Sequence, residues 1–220
     1  MTPESTPPSP NPLRDARFML SAARLPQLPD DDWPEVAFVG RSNAGKSSAL
    51  NRLCQQRALA RVSRTPGRTQ LINLFTLPGD RRLVDLPGYG FAKAPPDTRR
   101  KWEALVGRYV AERRNLVGLI LLMDIRHPLQ PLDLQMLDWA AAHGRPVHIL
   151  LTKADKLSRG NAGNVLQGLR GDLKTRADEP LATAQLFSAP ASLGTEDARA
   201  IIHGWFTTPS PREAPQPSIR

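Results

Sequence analysis

Cysteine is almost missing from this chain, and so is any long apolar run. The single cysteine, Cys54, has no partner for an internal disulfide, and no cluster of cysteine and histidine stands at the spacing of a structural zinc site. The longest apolar run, Leu116 to Met123, falls far short of the ~20 residues that a helix needs to cross a bilayer, so neither a membrane span nor a membrane partner is expected. Residues 1–20 also lack a basic segment followed by an apolar stretch and a small-residue cleavage site, the marks of a secretory signal. From these absences the expectation is a reducing, cytoplasmic setting. What is present is ordinary for a folded protein: 40% hydrophobic and 23% charged residues over 220 positions. At about 150 residues per domain, that suits one medium-sized domain with tails.

Acid is missing locally as well. Within a net charge of +9, the stretch from Arg52 to Gln70 holds five arginines (Arg52, Arg57, Arg61, Arg64, Arg68) and no carboxylate. A second block, Lys93 to Arg114, sets seven basic residues against Asp97, Glu103 and Glu112. Such clusters suit a phosphate-rich partner, because each neutralised phosphate releases condensed counterions. A solubilising basic surface explains the charge equally well.

Proline marks the ends. Five of the first twelve residues are proline, and Pro209, Pro211, Pro215 and Pro217 crowd the last stretch. Neither segment has a periodic apolar face, so 1–12 and 208–220 are expected to be disordered tails around a single domain over 13–207. Inside it, six strands are expected: Glu35 to Val39, Leu71 to Leu77, Arg82 to Asp85, Leu116 to Asp124, Val147 to Leu151 and Leu181 to Ser188. The second and third should form a hairpin through Pro78-Gly79-Asp80. Helical patterns run from Lys46 to about Gln56, from Leu132 to His143, and behind Thr195. Alternating β and α with near-continuous apolar strands predicts an α/β three-layer sandwich, a mostly parallel six-stranded sheet with helices on both faces.

Chemistry enters at Gly40-Arg41-Ser42-Asn43-Ala44-Gly45-Lys46-Ser47, which fits G-x-x-x-x-G-K-[ST] between a predicted strand and a predicted helix. Glycines let the backbone fold around an anion, consecutive N–H groups point at phosphates, Lys46 adds charge, and Ser47 can hold magnesium. The bland alternative is a Gly-rich turn before a helix. Asp85-Leu86-Pro87-Gly88 closes a predicted strand 39 residues after Lys46, placing a carboxylate beside the metal and a glycine N–H near the γ-phosphate. Alone it would read as a strand-end turn. Thr152-Lys153-Ala154-Asp155 has the form [NT]-K-x-D after the fifth strand. A buried carboxylate at Asp155 would accept two hydrogen bonds from guanine N1–H and N2–H₂, and a site so built rejects adenine. Lys153 would lie along the nucleotide through its stem. Phe187-Ser188-Ala189 ends the sixth strand, where a backbone N–H could meet the guanine O6.

In this order the motifs resemble those of translation-factor-class GTPases. Four strings narrow the likeness: Gly40 to Ser48, Thr65-Pro-Gly-Arg-Thr-Gln-Leu-Ile-Asn73, Val84-Asp-Leu-Pro-Gly-Tyr-Gly90 and Met123-Asp-Ile-Arg-His-Pro-Leu129. Together they are similar to the YihA/EngB family of ribosome-assembly GTPases, over about Phe18 to Phe206. The resemblance implies that Thr69 joins Ser47 and Asp85 on Mg2+ when the γ-phosphate is present, and that Gly67, Arg68, Thr69, Gln70 and Leu71 form a mobile loop. Without it, Thr65 and Thr69 are equal candidates. It also implies a catalytic set of Lys46, Thr69, Gly88 and Asn43 and action on the large ribosomal subunit or its precursor, with a link to cell division; a monomer is expected because no heptad or large exposed apolar stripe argues for an obligate dimer. Tyr89 stands where Ras-like enzymes carry the glutamine that orients water, so intrinsic hydrolysis of GTP to GDP should be slow. Asn43 resembles an asparagine that helps related GTPases bind K+ against the phosphates, although it also suits a left-handed turn. Arg126, His127 and Pro128 match a family signature for which a turn or packing role is expected. Two rivals remain: a nucleotide-dependent RNA-binding module without turnover, and a P-loop ATPase or kinase, which leaves Thr152 to Asp155 unexplained.

Overall fold

The computed structural model describes residues 11–60, 71–89, 96–176 and 182–208. In chain order these form β1 (Arg17–Ala22), β2 (Glu35–Gly40), α1 (Lys46–Leu53), β3 (Ile72–Leu77), β4 (Arg81–Asp85), α2 (Pro96–Glu112), β5 (Leu116–Asp124), α3 (Pro131–Ala142), β6 (Val147–Thr152), α4 (Arg159–Arg176), β7 (Ala182–Leu186) and α5 (Thr195–Thr207). The strands make one sheet in the order β1-β3-β4-β2-β5-β6-β7. From β4 across to β7 every pairing is parallel, while β1–β3 and β3–β4 are antiparallel.

Alternation along the central strands divides the interior in two. Ala37 and Val39 of β2, with Leu119, Leu121 and Met123 of β5, face one cluster; Val36 and Phe38, with Ile120 and Leu122, face the other. Trp102, Val106 and Tyr109 from α2, Met136 and Leu137 from α3, and Leu169 and Leu173 from α4 cover the first face. Leu50 and Leu53 from α1 and Ala198 and Ile202 from α5 cover the second. A parallel sheet buried on both sides therefore sits between two helical layers, the α/β architecture of P-loop GTPases.

Among the described residues seven strands, not six, are present. The additional one, β1, is an edge strand in which only Ala22 is fully buried and Phe18 is 60% exposed, so it carries no core-facing alternation to read. Two helices also exceed the sequence reading. Helix α2 lies inside the basic block, and α4 contains Gly160, Gly163, Gly168 and Gly171, poor helix formers whose Cα atoms face open space. Burial of Ala162, Leu169 and Leu173 overrides that propensity. The expected hairpin is present, with Gly79 (φ +77°) and Asp80 (φ +54°) in the left-handed region between β3 and β4. Asn11 and Leu13 belong to the folded body: the Asn11 amide donates to Leu53 O at 2.9 Å, and Leu13 is buried.

Charge fastens the end of the sheet where β2 begins. The Glu35 carboxylate, wholly buried, accepts from Arg82 Nη1 (2.9 Å), Tyr109 OH (2.8 Å) and Arg113 Nε and Nη2 (2.8 and 2.6 Å). Arg82 also pairs with Asp31 and stacks on the Trp33 ring at 4.8 Å. The opposite end of the same strand opens into the phosphate loop.

Candidate functional site

Because β2, β4, β5, β6 and β7 are parallel, their carboxyl ends share one edge of the sheet, the edge at which open α/β sheets bind ligands. At that edge Gly40 closes β2 so tightly against β5 that a Cβ there would lie 2.7 Å from Leu122 O. Asn43 (φ +66°) and Gly45 (φ +87°) then turn the chain left-handedly into α1. Gly45 is the N-cap and offers no side-chain cap. The first-turn amides of α1 are thus left for an anion. Thr152 holds the loop from behind, donating its hydroxyl proton to Ala44 O at 2.6 Å, with Met123 O at 3.1 Å.

Asp85 ends β4 beside this loop, and its carboxylate pairs with the Lys46 ammonium. Leu86 N donates to Phe38 O (3.0 Å), Tyr89 N to Gly40 O (3.3 Å) and Ser42 N to Tyr89 O (2.6 Å). The segment Asp85 to Tyr89 is in this way stitched along the phosphate loop, and a Cβ on Gly88 would sit 3.3 Å from Gly40 O. The oxygens of Ser47 and Asp85 are hard donors of the kind Mg2+ takes, and the donor set fits that ion, which supplies charge stabilisation at phosphate oxygens.

Tyr89 does not face the site. Its ring is buried 4.9 Å from that of Trp102, and its hydroxyl donates to the buried Asp133 carboxylate at the start of α3. Burial, then the Asp133 charge, pushes the Tyr89 phenol well above its usual range; burial also raises Asp133. Trp102 Nε1 donates to Pro87 O at 2.7 Å. Two aromatic side chains therefore clasp the backbone on either side of Gly88.

Across the edge, Lys153 occupies a left-handed turn (φ +58°), and Ala154 N donates to Phe187 O at 3.2 Å. That bond brings Thr152–Asp155 and Phe187–Ala189 together. Asp155 corrects the sequence reading: its side chain is 21% exposed, at the open mouth of the site rather than buried. The Ser188 hydroxyl, itself buried, donates to Asp155 Oδ1 at 2.6 Å, and Lys156 pairs with Oδ2 at 3.2 Å. Ser188 first and Lys156 next lower the Asp155 pKa, leaving an oriented carboxylate ready to accept hydrogen bonds. Sequence reasoning gave Ser188 only a backbone role and missed this hydroxyl contact.

Gly67, Arg68, Thr69 and Gln70 lie outside the described residues, as do Thr65, Lys93 and the arginines at 61 and 64. Leu71 is half-buried just before β3. Arg126 and His127 do form the expected turn, with His127 N donating to Asp124 O at 2.9 Å. Arg126 adds an unforeseen contact, a two-pronged pair with the Asp124 carboxylate.

The sequence pattern of the 50S ribosome-binding GTPase family matches residues 35–153. Probable GTP-binding protein EngB of Aromatoleum aromaticum is 51% identical over 198 residues, covering 90% of this chain and 91% of that protein. The chain belongs to the EngB family of GTP-binding proteins. Probable GTP-binding protein EngB of Thiobacillus denitrificans is likewise 51% identical, over 203 residues, 92% of this chain and 97% of the relative. A crystal structure of a probable engB GTP-binding protein superposes with a TM-score of 0.65 at 20% identity, covering 78% of this chain and 98% of that one. Era, crystallised with MgGDPNP and nucleotides 1506-1542 of 16S ribosomal RNA, gives 0.58 at 20% identity, over 82% of this chain and 59% of that one. With EngB membership, the P-loop GTPase fold seen here is the fold of the family. Among the described residues no helix is long and apolar enough to cross a membrane.

Proposed function

We propose that this EngB-family protein is a cytoplasmic GTP-driven switch, with residues 13–207 as its working domain. It binds GTP with Mg2+, hydrolyses it slowly to GDP and phosphate, and engages the large ribosomal subunit or its precursor in one nucleotide state. The observation that carries this reading is the meeting, along one sheet edge, of the phosphate loop, the Lys46–Asp85 pair and the Ser188-held Asp155. Lys46 and the loop amides take the phosphates, Ser47 and Asp85 with Thr69 take the metal, Gly88 senses the γ-phosphate, and Asp155 reads guanine. Ordering of the Thr69 loop by GTP, and its release on hydrolysis, would change the exposed surface.

The matched family description supports the ribosomal partner. The basic block from Lys93 to Arg114, which contains α2, supports RNA contact, and the family resemblance extends the role to normal cell division. Slow turnover is supported by the inward Tyr89 hydroxyl, which is engaged by Asp133 and cannot orient water. The exposed, left-handed Asn43 suits either the K+ role or the turn alone. The same Tyr89 geometry favours a second reading, a nucleotide-dependent ribosome-binding module with negligible turnover.

One experiment set tests these readings. Labelled GTP should be displaced by GTP and GDP but not by ATP, and the protein should co-sediment with large subunits in only one of the GTP-analogue and GDP states. Displacement by ATP overturns guanine recognition. Equal sedimentation in both states overturns the switch. Single-turnover hydrolysis accelerated by subunits supports the enzyme; no acceleration and no turnover supports the binding module. Equal rates in Na+ and K+ remove the potassium role.

A further inference from the structure

Arg126 lies in a sequence signature that the nucleotide site as described above does not use. Its guanidinium grips the Asp124 carboxylate with Nε at 2.9 Å from Oδ1 and Nη2 at 2.6 Å from Oδ2, and its own backbone N–H adds a third bond to Oδ1 at 3.1 Å. The Lys153 ammonium lies 2.9 Å from the same Asp124 Oδ2. Asp124 and Thr152 are register partners at the ends of β5 and β6, so the two loops leave the sheet side by side.

We propose that Asp124 and Arg126 are positioning residues for Lys153, fixing its side chain over the nucleoside half of the nucleotide site. The inference rests on the GTP reading of that site. Lysine carries rotamer freedom that a ligand would otherwise have to remove on binding. Anchoring the ammonium on Asp124 removes part of that freedom beforehand and holds the aliphatic stem extended where a base and ribose would rest. Arg126 fixes the plane of the carboxylate through two parallel bonds, so Oδ2 cannot swing away from Lys153. Without Asp124, a guanidinium and an ammonium would face each other, and repulsion would turn Lys153 off the pocket.

A purely structural role fits less well. The Arg126 side chain is 46% exposed and that of Lys153 31%. Ion pairs so exposed contribute little to stability. The geometry is instead that of a support for a neighbouring group at a strained turn, since Lys153 holds φ +58° without being glycine.

The test is a double-mutant cycle on the full chain, read by titration with fluorescent N-methylanthraniloyl-GDP. Asp124→Asn, Arg126→Gln, Lys153→Ala and the double variant Asp124→Asn/Lys153→Ala are compared with wild type, with circular dichroism melts alongside. Asp124→Asn and Lys153→Ala should each weaken the probe about tenfold, Arg126→Gln severalfold, and the double variant no more than Lys153→Ala alone. The ratio of GTP-analogue to GDP affinity should stay as in wild type, because the phosphate contacts are untouched. Arg126→Gln should melt with wild type, separating positioning from folding. Wild-type affinity in both Asp124→Asn and Arg126→Gln overturns the inference, and so do losses that multiply in the double variant. If wild type itself takes up no guanine nucleotide, the GTP reading falls and this inference with it; wild-type binding with unchanged variants defeats the inference alone.

Discussion

The Lys46 ammonium and the Asp85 carboxylate neutralise each other across the phosphate loop. Each has another partner in the proposed function, a phosphate for Lys46 and Mg2+ for Asp85, so nucleotide and metal must exchange one ion pair for two. Asp85→Asn should release Lys46 while removing a metal ligand. The expected result is GDP affinity in EDTA that equals or exceeds wild type, together with loss of most of the gain that Mg2+ gives wild type. Calorimetric titration with and without Mg2+ checks this.

Ser188 orients Asp155 through a 2.6 Å bond from a buried hydroxyl. Ser188→Ala removes that bond and leaves the carboxylate free to rotate at an exposed mouth. GDP and GTP affinity should each fall about tenfold, in line with the ~1.5–3 kcal/mol of a hydrogen bond to a charged group. The preference over ATP should narrow in step. Competition titrations with the three nucleotides measure both effects.

What could be read beforehand was local in sequence. The phosphate loop, the Pro78-Gly79-Asp80 turn and the strand before Gly40 announce themselves within a few residues of chain. The Ser188–Asp155 and Tyr89–Asp133 bonds join residues 33 and 44 positions apart, and no pattern in the chain singles out those partners. A buried carboxylate is expected at Asp155 for pairing with guanine, yet the turn at Lys153 leaves its side chain partly exposed. Arg126 and Asp124 are only two residues apart, but the pair gains meaning only when β6 brings Lys153 beside them. Strand β1 left no apolar alternation because its exposed edge buries so little.

The Tyr89–Asp133 pair makes a stability prediction. Tyr89→Phe keeps the ring against Trp102 but strips a buried carboxylate of its hydroxyl donor. Unfolding free energy should drop by about 1–3 kcal/mol, the usual cost of an unsatisfied buried group. Urea denaturation measures it.

His148 sets a pH dependence. Nearly buried, it accepts at Nδ1 from the Thr183 hydroxyl (2.7 Å) and donates from Nε2 to Gln185 Oε1 (2.8 Å), whose amide nitrogen in turn donates to Gly194 O at 2.7 Å. Burial lowers its pKa below the ordinary 6.5. The unfolded chain therefore takes up this proton first, so the contribution is complete above pH 6.5 and is lost as pH falls from there toward the folded value. His148→Gln should flatten urea midpoints measured between about pH 7.5 and 5.5, a window above the titration of ordinary carboxylates.

Arg199 of α5 donates from Nε to Leu53 O (2.9 Å) and from Nη2 to Arg52 O (3.1 Å), capping the carbonyl end of the helix that the phosphate loop opens. During synthesis α1 emerges long before the arginine that secures it, and the Trp205 ring that packs over Gly118 of β5 arrives later still. A nascent chain halted before α5 thus presents every phosphate-loop residue on a helix that lacks these two bonds, with the Asn11 bond to Leu53 O and the packing of Leu50 and Leu53 on the sheet left to hold it.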